Sequence, residues 1–314
     1  MKKVILLIAA IAMSAVYVSA QDLETVTANY NGAAEALTTG DKALALEYFQ
    51  AALKGAEGLS EEELGEDGQT IVATCKDRIP QLLLSISKDN LREKAYDEAY
   101  VTLQQTIETA KLYANPEVEA EASTLIPQLF MQKGNSSLSA KDMAGAIEAF
   151  QQVIALDPEN GNAYLRLGMA YGSTGKVAEA EEAYVKAIEL GKEKDAQKQL
   201  SNMFNKLAAS SLKAKAYEKA IEYSEKANSY LENATSYKVA GTAASSAKQN
   251  AKAIEYLQKY LELSPNAKDA VQMKYTIAAT AQTMGNKELA KEYYNMILSD
   301  PQFGPTAKQM LEAL

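Results

Sequence analysis

Gly161-Asn162-Ala163-Tyr164-Leu165-Arg166-Leu167-Gly168-Met169-Ala170-Tyr171-Gly172-Ser173-Thr174-Gly175 runs directly into Lys176-Val177-Ala178-Glu179-Ala180-Glu181-Glu182-Ala183-Tyr184-Val185-Lys186-Ala187. Tyr164, Leu167 and Tyr171 recur at intervals of three and four, the spacing of one face of a helix. Ala180, Tyr184 and Ala187 repeat that spacing after a break at Gly175, where glycine supplies a helix end and a turn. Gly168 and Ala180 are small where two antiparallel helices must approach closely. The stretch predicts a helix–turn–helix hairpin.

Outward from this unit the same frame returns. With Ala180 at position 20 as the register mark, the frame recurs at Ala45, Ala99, Ala146, Ala220, Ala253 and Ala290. Four residues after each mark stand Phe49, Leu103, Phe150, Tyr184, Ser224, Leu257 and Tyr294, large and apolar except for Ser224. Pro158 and Pro265 fall where one unit has ended and the chain must be redirected.

These residues resemble the tetratricopeptide repeat, a helix–turn–helix unit of about 34 residues. The resemblance implies an all-α fold: a right-handed superhelical solenoid of about seven repeats with a C-terminal capping helix. The units begin near 26, 80, 127, 161, 201, 234 and 271, and residues 305–314 form the cap. Pro305 suits a first helical turn, with Met310, Leu311 and Leu314 on one side. No linker rich in Pro, Gly or Ser divides the array, so residues 21–314 are read as one solenoid domain.

The register marks are stretched at the N-terminal end. The extra length includes Ser60-Glu61-Glu62-Glu63-Leu64-Gly65-Glu66-Asp67-Gly68, acidic and broken by glycine, with helical pattern from about Gln69. A second insertion covers Glu117 to Ile126. Each leads into a similar phrase, Ile79-Pro80-Gln81-Leu82 and Ile126-Pro127-Gln128-Leu129, which predicts long, bent first helices in units 2 and 3.

At the start of the chain, Lys2 and Lys3 precede the apolar run Val4 to Met13, and Val18-Ser19-Ala20 offers a small-residue cleavage pattern. Residues 1–20 are read as a signal peptide, cleaved near Ala20, for an exported bacterial protein, periplasmic or secreted and soluble. No second apolar run is long enough to span a membrane. Net charge is −9, from 32 basic and 41 acidic residues, and the chain has no histidine and one cysteine. The acidic balance argues against nucleic acid as a partner. Without histidine there is no Ser–His–Asp or Cys–His site, and Cys75 alone builds no disulfide or metal centre. The reading is therefore no enzyme, no metal and no cofactor, with Cys75 a buried small hydrophobe.

In the family, first helices line the concave side and carry the ligand contacts. That placement selects Gln128, Met131 and Asn135 in unit 3 and Asn162, Arg166 and Met169 in unit 4. It adds Asn202, Asn205 and Lys206 in unit 5, then Lys238 and Thr242 in unit 6. Side-chain amides pair with both N–H and C=O of an extended backbone, and the cations attract carboxylates. The function so implied is a protein–protein interaction scaffold or adaptor of the cell envelope, holding a peptide or protein surface. The alternatives are a self-associating structural module and a non-catalytic accessory of an envelope enzyme.

Overall fold

The computed structural model describes residues 22–314, and among these there are helices and no strand. The leader read at 1–20 lies outside the described residues. The chain forms two compact units, one ending at Pro158 and the other starting at Glu159.

The first unit contains α1 (Leu23–Thr39), α2 (Lys42–Ala56), α3 (Glu61–Arg92), α4 (Tyr96–Leu112), α5 (Pro116–Ser139) and α6 (Met143–Leu156). Each helix packs on its successor. The second unit contains α7 (Gly161–Ser173), α8 (Val177–Ala187), α9 (Glu193–Lys213), α10 (Tyr217–Tyr230), α11 (Ala234–Ser246), α12 (Asn250–Leu263), α13 (Ala270–Thr283), α14 (Lys287–Asn295) and α15 (Gly304–Glu312). Between α8 and α9 the chain stays helical through a π turn, Ile188–Lys192, which Gly191 breaks at φ 80°.

Small residues let the helices of each pair touch. All seven register alanines, from Ala45 to Ala290, are fully buried. Opposite them, a Cβ added to Gly134 would stand 2.6 Å from Phe150 Cε1, one on Gly168 2.8 Å from Tyr184 Cδ1, and one on Gly241 2.7 Å from Leu257 Cδ2. Position 24 thus fills the space that position 8 leaves empty. Ser224, the exception, is buried and donates to the Ala220 carbonyl at 2.8 Å. The aromatic contact of that unit is made by Phe204, stacked on Tyr223 and Tyr230 at centroid distances of 6.0 Å each.

The turn inside each pair repeats one backbone geometry. Position 15 is left-handed in all seven: Gly40, Lys94, Lys141, Gly175, Lys215, Lys248 and Gly285, with φ between 60° and 81°. The next residue's N–H returns to a carbonyl five residues back, as in Lys176 to Tyr171 (3.1 Å) and Ala216 to Ser211 (2.9 Å). This is the Schellman arrangement, which satisfies carbonyls left open at a helix C-terminus.

One expectation shifts at the N-terminal end. Helix α3 starts at Glu61 rather than near Gln69, because Ser60 and Glu63 form a reciprocal capping box. Gly65, at φ 57°, breaks the helical path inside α3, which then continues through Pro80 to Arg92. Helix α5 likewise runs on through Pro127, with Pro116 in its first turn. At the other end, α15 lays Ala307, Met310 and Leu311 on the core of α13 and α14, with Pro305 in its first turn.

Candidate binding surface on the first helices

In the second unit several outer polar side chains of the second helices are tied to the next repeat. Glu181 of α8 accepts from Lys226 Nζ at 2.9 and 3.1 Å and from Tyr230 Oη at 2.8 Å, both on α10. Glu225 of α10 accepts from Tyr256 Oη of α12, and Lys252 Nζ lies 3.8 Å away. Gln249 Nε2 donates to Glu218 at 2.6 Å, and Gln258 of α12 donates to Tyr293 Oη of α14 at 3.2 Å. Burial first, then the carboxylate partner, pushes Tyr230 up to about 12 and raises Tyr256 as well.

First helices carry a different surface. From Ala196 onward in α9, and throughout α7, α11 and α13, the charged residues are Arg166, Lys198, Lys206, Lys213, Lys238 and Lys274, with no acid among them. The second helices α8, α10, α12 and α14 mix glutamates with lysines. Past Glu193 and Asp195 in the first turn of α9, the charged residues of these first helices are thus all basic, and one of them, Lys238, is paired with Asp269.

Asn162 and Arg166 stand one turn apart on α7, and Asn202 and Lys206 occupy the same register on α9. All four are exposed. Among the described residues the side chains of Asn162, Asn202 and Lys206 have no partner, and Arg166 Nη1 only approaches Met169 Sδ at 4.0 Å. The two helices are neighbours: a Cβ on Gly172 of α7 would stand 3.7 Å from Met203 Sδ of α9. Met169 is half-buried beside Leu165 against the core of α8 and α9.

Other residues selected from the sequence are engaged within the fold. Asn205 Nδ2 donates to Asn233 Oδ1 at 3.4 Å and its Oδ1 accepts from Ser236 Oγ at 2.6 Å, which links α9 to α11. Lys238 Nζ lies 2.6 Å from Asp269, whose carboxylate also accepts from Tyr260 Oη. Lys238, followed by Tyr260, holds the Asp269 carboxyl below the usual range. Thr242 Oγ1 donates to the Lys238 carbonyl at 2.8 Å. In the first unit, Gln128 is exposed on α5 while Met131 and Asn135 are half-buried.

The contacts of Lys238 and Asn205 were not visible in the sequence. One local signal existed for Asn233, an asparagine before an apolar helix with Ser236 three residues on; its Oδ1 caps α11 by accepting from Ser236 N at 3.0 Å. Between α3 and the α4–α5 turn lies a shallow depression of about 330 Å³, lined by Lys76, Asp77, Tyr113 and Asn115. Asn115 Nδ2 donates there to Asp77 Oδ1 at 3.4 Å, so part of its lining is paired internally. Among the described residues, no group of three or more His, Cys, Asp or Glu is placed to hold a metal ion. No helix among them is long and apolar enough to cross a membrane.

Tetratricopeptide-repeat family models match residues 137–203 and 234–267. The chain contains tetratricopeptide repeats. No curated protein matches its sequence. Among solved structures, MamA is 21% identical over 58% of this chain and 94% of its own, with a TM-score of 0.36. YrrB, described as a TPR protein with an unusual peptide-binding site, is 19% identical over 58% of this chain and 91% of its own, with a TM-score of 0.33. A tetratricopeptide repeat protein from Parabacteroides merdae is 12% identical over 92% of this chain and 98% of its own, with a TM-score of 0.29. At such TM-scores these likenesses say nothing about the surface that a partner of this repeat protein uses.

Proposed function

We propose that this chain is an exported, non-catalytic scaffold of the cell envelope that holds an extended polypeptide segment against the first helices of its second unit. One observation carries the reading: Glu181, Glu218, Glu225 and Gln258 of the second helices are tied to the next repeat, whereas Asn162, Asn202 and Lys206 are exposed without a side-chain partner and Arg166 reaches only the Met169 sulfur. Amide and cationic side chains free of internal partners suit a ligand whose backbone and carboxylates need hydrogen bonds. Export is supported by Lys2-Lys3, the apolar run after them and Val18-Ser19-Ala20.

Selection of a random peptide display library on the full chain tests the binding reading. Enriched peptides should bind with micromolar or better affinity, and the N162A/R166A/N202A/K206A variant should lose at least about tenfold, roughly 1.4 kcal/mol. Enriched peptides that bind this variant as well as the wild type would refute the site. For export, the mass of protein recovered from a fractionated bacterial host should correspond to a chain starting at Gln21. An intact Met1 in the cytoplasmic fraction would refute that part.

A further inference from the structure

We propose that the turn edge of the second unit docks on an anionic phospholipid bilayer through Lys213, Lys215 and Lys248. This surface is separate from the first-helix face assigned to a polypeptide.

Every helix pair carries a lysine at the left-handed turn position or within two residues after it: Lys42, Lys94, Lys141, Lys176, Lys215, Lys248 and Lys287. The residue type persists while its register moves among positions 15, 16 and 17. A steric need of the turn would fix the register, as it does for the position-20 alanines, so what recurs is charge. Lys94, Lys141, Lys215 and Lys248 stand in left-handed backbone, which costs stability that glycine would not lose. Retained strain of this kind points to a use for the side chain. The helix dipole does not account for the series, because Lys42, Lys176 and Lys287 lie at the N-termini of second helices, where a cation is unfavourable.

In the second unit the charge at this edge is of one sign. Positions 13–17 of its four pairs hold Lys176, Lys213, Lys215, Lys248 and Lys287 and no acid, whereas the same positions of the first unit include Asp41, Glu93 and Asp142. Helix α7 packs on α9 and α9 on α11, so the turns follow one another along one edge. Two of them are bonded together: Gln249, beside Lys248, donates at 2.6 Å to Glu218, three residues beyond Lys215. Lys213, Lys215 and Lys248 are exposed and have no hydrogen-bond or ion-pair partner among the described residues. Lys176 Nζ instead lies 5.5 Å from the Tyr171 ring centroid, and Lys287 Nζ donates to the Leu314 carbonyl at 2.8 Å. The acids that follow, Glu179, Glu218 and Glu288, lie within the second helices, and Gln249 occupies Glu218.

A partner with fixed charge spacing would need these lysines in a fixed register. A bilayer does not, because its headgroups diffuse to each cation, and each lysine at an anionic surface contributes roughly fivefold in partitioning. Salt screens charges beyond about 8 Å, so a membrane senses this edge and not the net charge of −9. Tyr217, half-buried two residues after Lys215, is of the kind enriched at bilayer interfaces, and Met284 is an apolar side chain left exposed at the last turn. Nucleic acid, with a charge every 1.7 Å or so, rewards a denser basic surface than one or two lysines per turn.

Co-sedimentation of the full chain with vesicles tests this, comparing phosphatidylcholine alone with phosphatidylcholine containing about one third phosphatidylglycerol. The uncharged-surface vesicles also measure what residues 1–20 contribute. Anionic vesicles should bind at least about tenfold more strongly. The K213A/K215G/K248G variant should lose at least about tenfold of that binding while its thermal midpoint stays level or rises. K94G/K141G, which removes left-handed lysines flanked by acids in the first unit, should bind within about twofold of wild type.

Equal binding to both vesicle types, or an anionic preference that K213A/K215G/K248G retains, would overturn the proposal. So would an equal loss in K94G/K141G, which would ascribe the binding to total charge. Displacement from the vesicles by a duplex oligonucleotide would assign the lysines to nucleic acid instead. Dimer formation without lipid, read by light scattering and abolished by K213A/K215G/K248G, would assign them to a second copy and overturn it too.

Discussion

Gly168 faces the ring of Tyr184 so closely that a Cβ there would stand 2.8 Å from both Cδ1 and Cε1. Gly172, one turn on, has its nearest such contacts at 3.7 Å and 3.9 Å. The two glycines lie in the same helix, so they separate the effect of packing from that of helix propensity. Gly168→Ala should destabilise the chain by about 1–3 kcal/mol through overpacking. Gly172→Ala should be neutral or stabilising by up to about 1 kcal/mol, since glycine is a poor helix residue. Urea denaturation followed by circular dichroism distinguishes the two. Equal midpoints for both variants would contradict this account of the packing.

Lys94, Lys141, Lys215 and Lys248 hold the left-handed turn that Gly40, Gly175 and Gly285 hold elsewhere. A side chain in that region costs about 1–2 kcal/mol, partly offset by the smaller entropy that lysine loses on folding. Lys215→Gly should therefore raise stability by up to about 1 kcal/mol, and Gly175→Lys should lower it by a similar amount. A shift in thermal midpoint in the opposite sense for either variant would show that the turn geometry is misassigned.

Cys75 is fully buried, and burial pushes its thiol up to about 11. Reaction requires the thiolate, so native protein at pH 8 should react with a disulfide reagent orders of magnitude more slowly than protein in urea. Release of one equivalent of coloured thiolate within seconds under native conditions would contradict the burial.

Acid and alkali should act on separate contacts. The folded-state pKa of Asp269 is lowered, by Lys238 and then Tyr260, so its contribution is present above the unfolded value of 3.8 and is lost as pH falls through the folded value. Tyr184, Tyr230 and Tyr260 are raised from 10.0 to about 12, chiefly by burial. Their contribution is full below pH 10 and is lost as pH rises toward 12. Asp269→Asn should be less stable than wild type at pH 7 and approach it at pH 2–3. A stability difference that is constant across this range would remove the Lys238–Asp269 contact from the account.

Much of the fold was legible because its causes are local or periodic. Ala45 through Ala290 mark the closest helix approaches, and Gly175 marks a left-handed turn that glycine adopts without strain. The lysines in the same turn gave no such signal, because their conformation is imposed by the helices on either side. Ser60 and Glu63 carried a capping signature that the glycines around them obscured, and α3 consequently begins eight residues before Gln69. The candidate surface was less legible. Repeat register selected Lys206 and Lys238 alike, but only the tertiary structure shows Asp269, 31 residues beyond Lys238, against that ammonium. Similarly, Asn205 reads as an exposed amide until α11 brings Asn233 and Ser236 beside it.

The central claim is that a polypeptide segment lies on the first helices and not on the second. Site-specific photocrosslinking tests it most directly, with benzoylphenylalanine replacing Asn202 on α9 in one variant and Glu222, exposed on α10, in another. Irradiation with a labelled, display-selected peptide should give a covalent adduct at position 202 that unlabelled peptide competes away, and none at position 222. An adduct confined to position 222, or formed equally at both, would contradict the account.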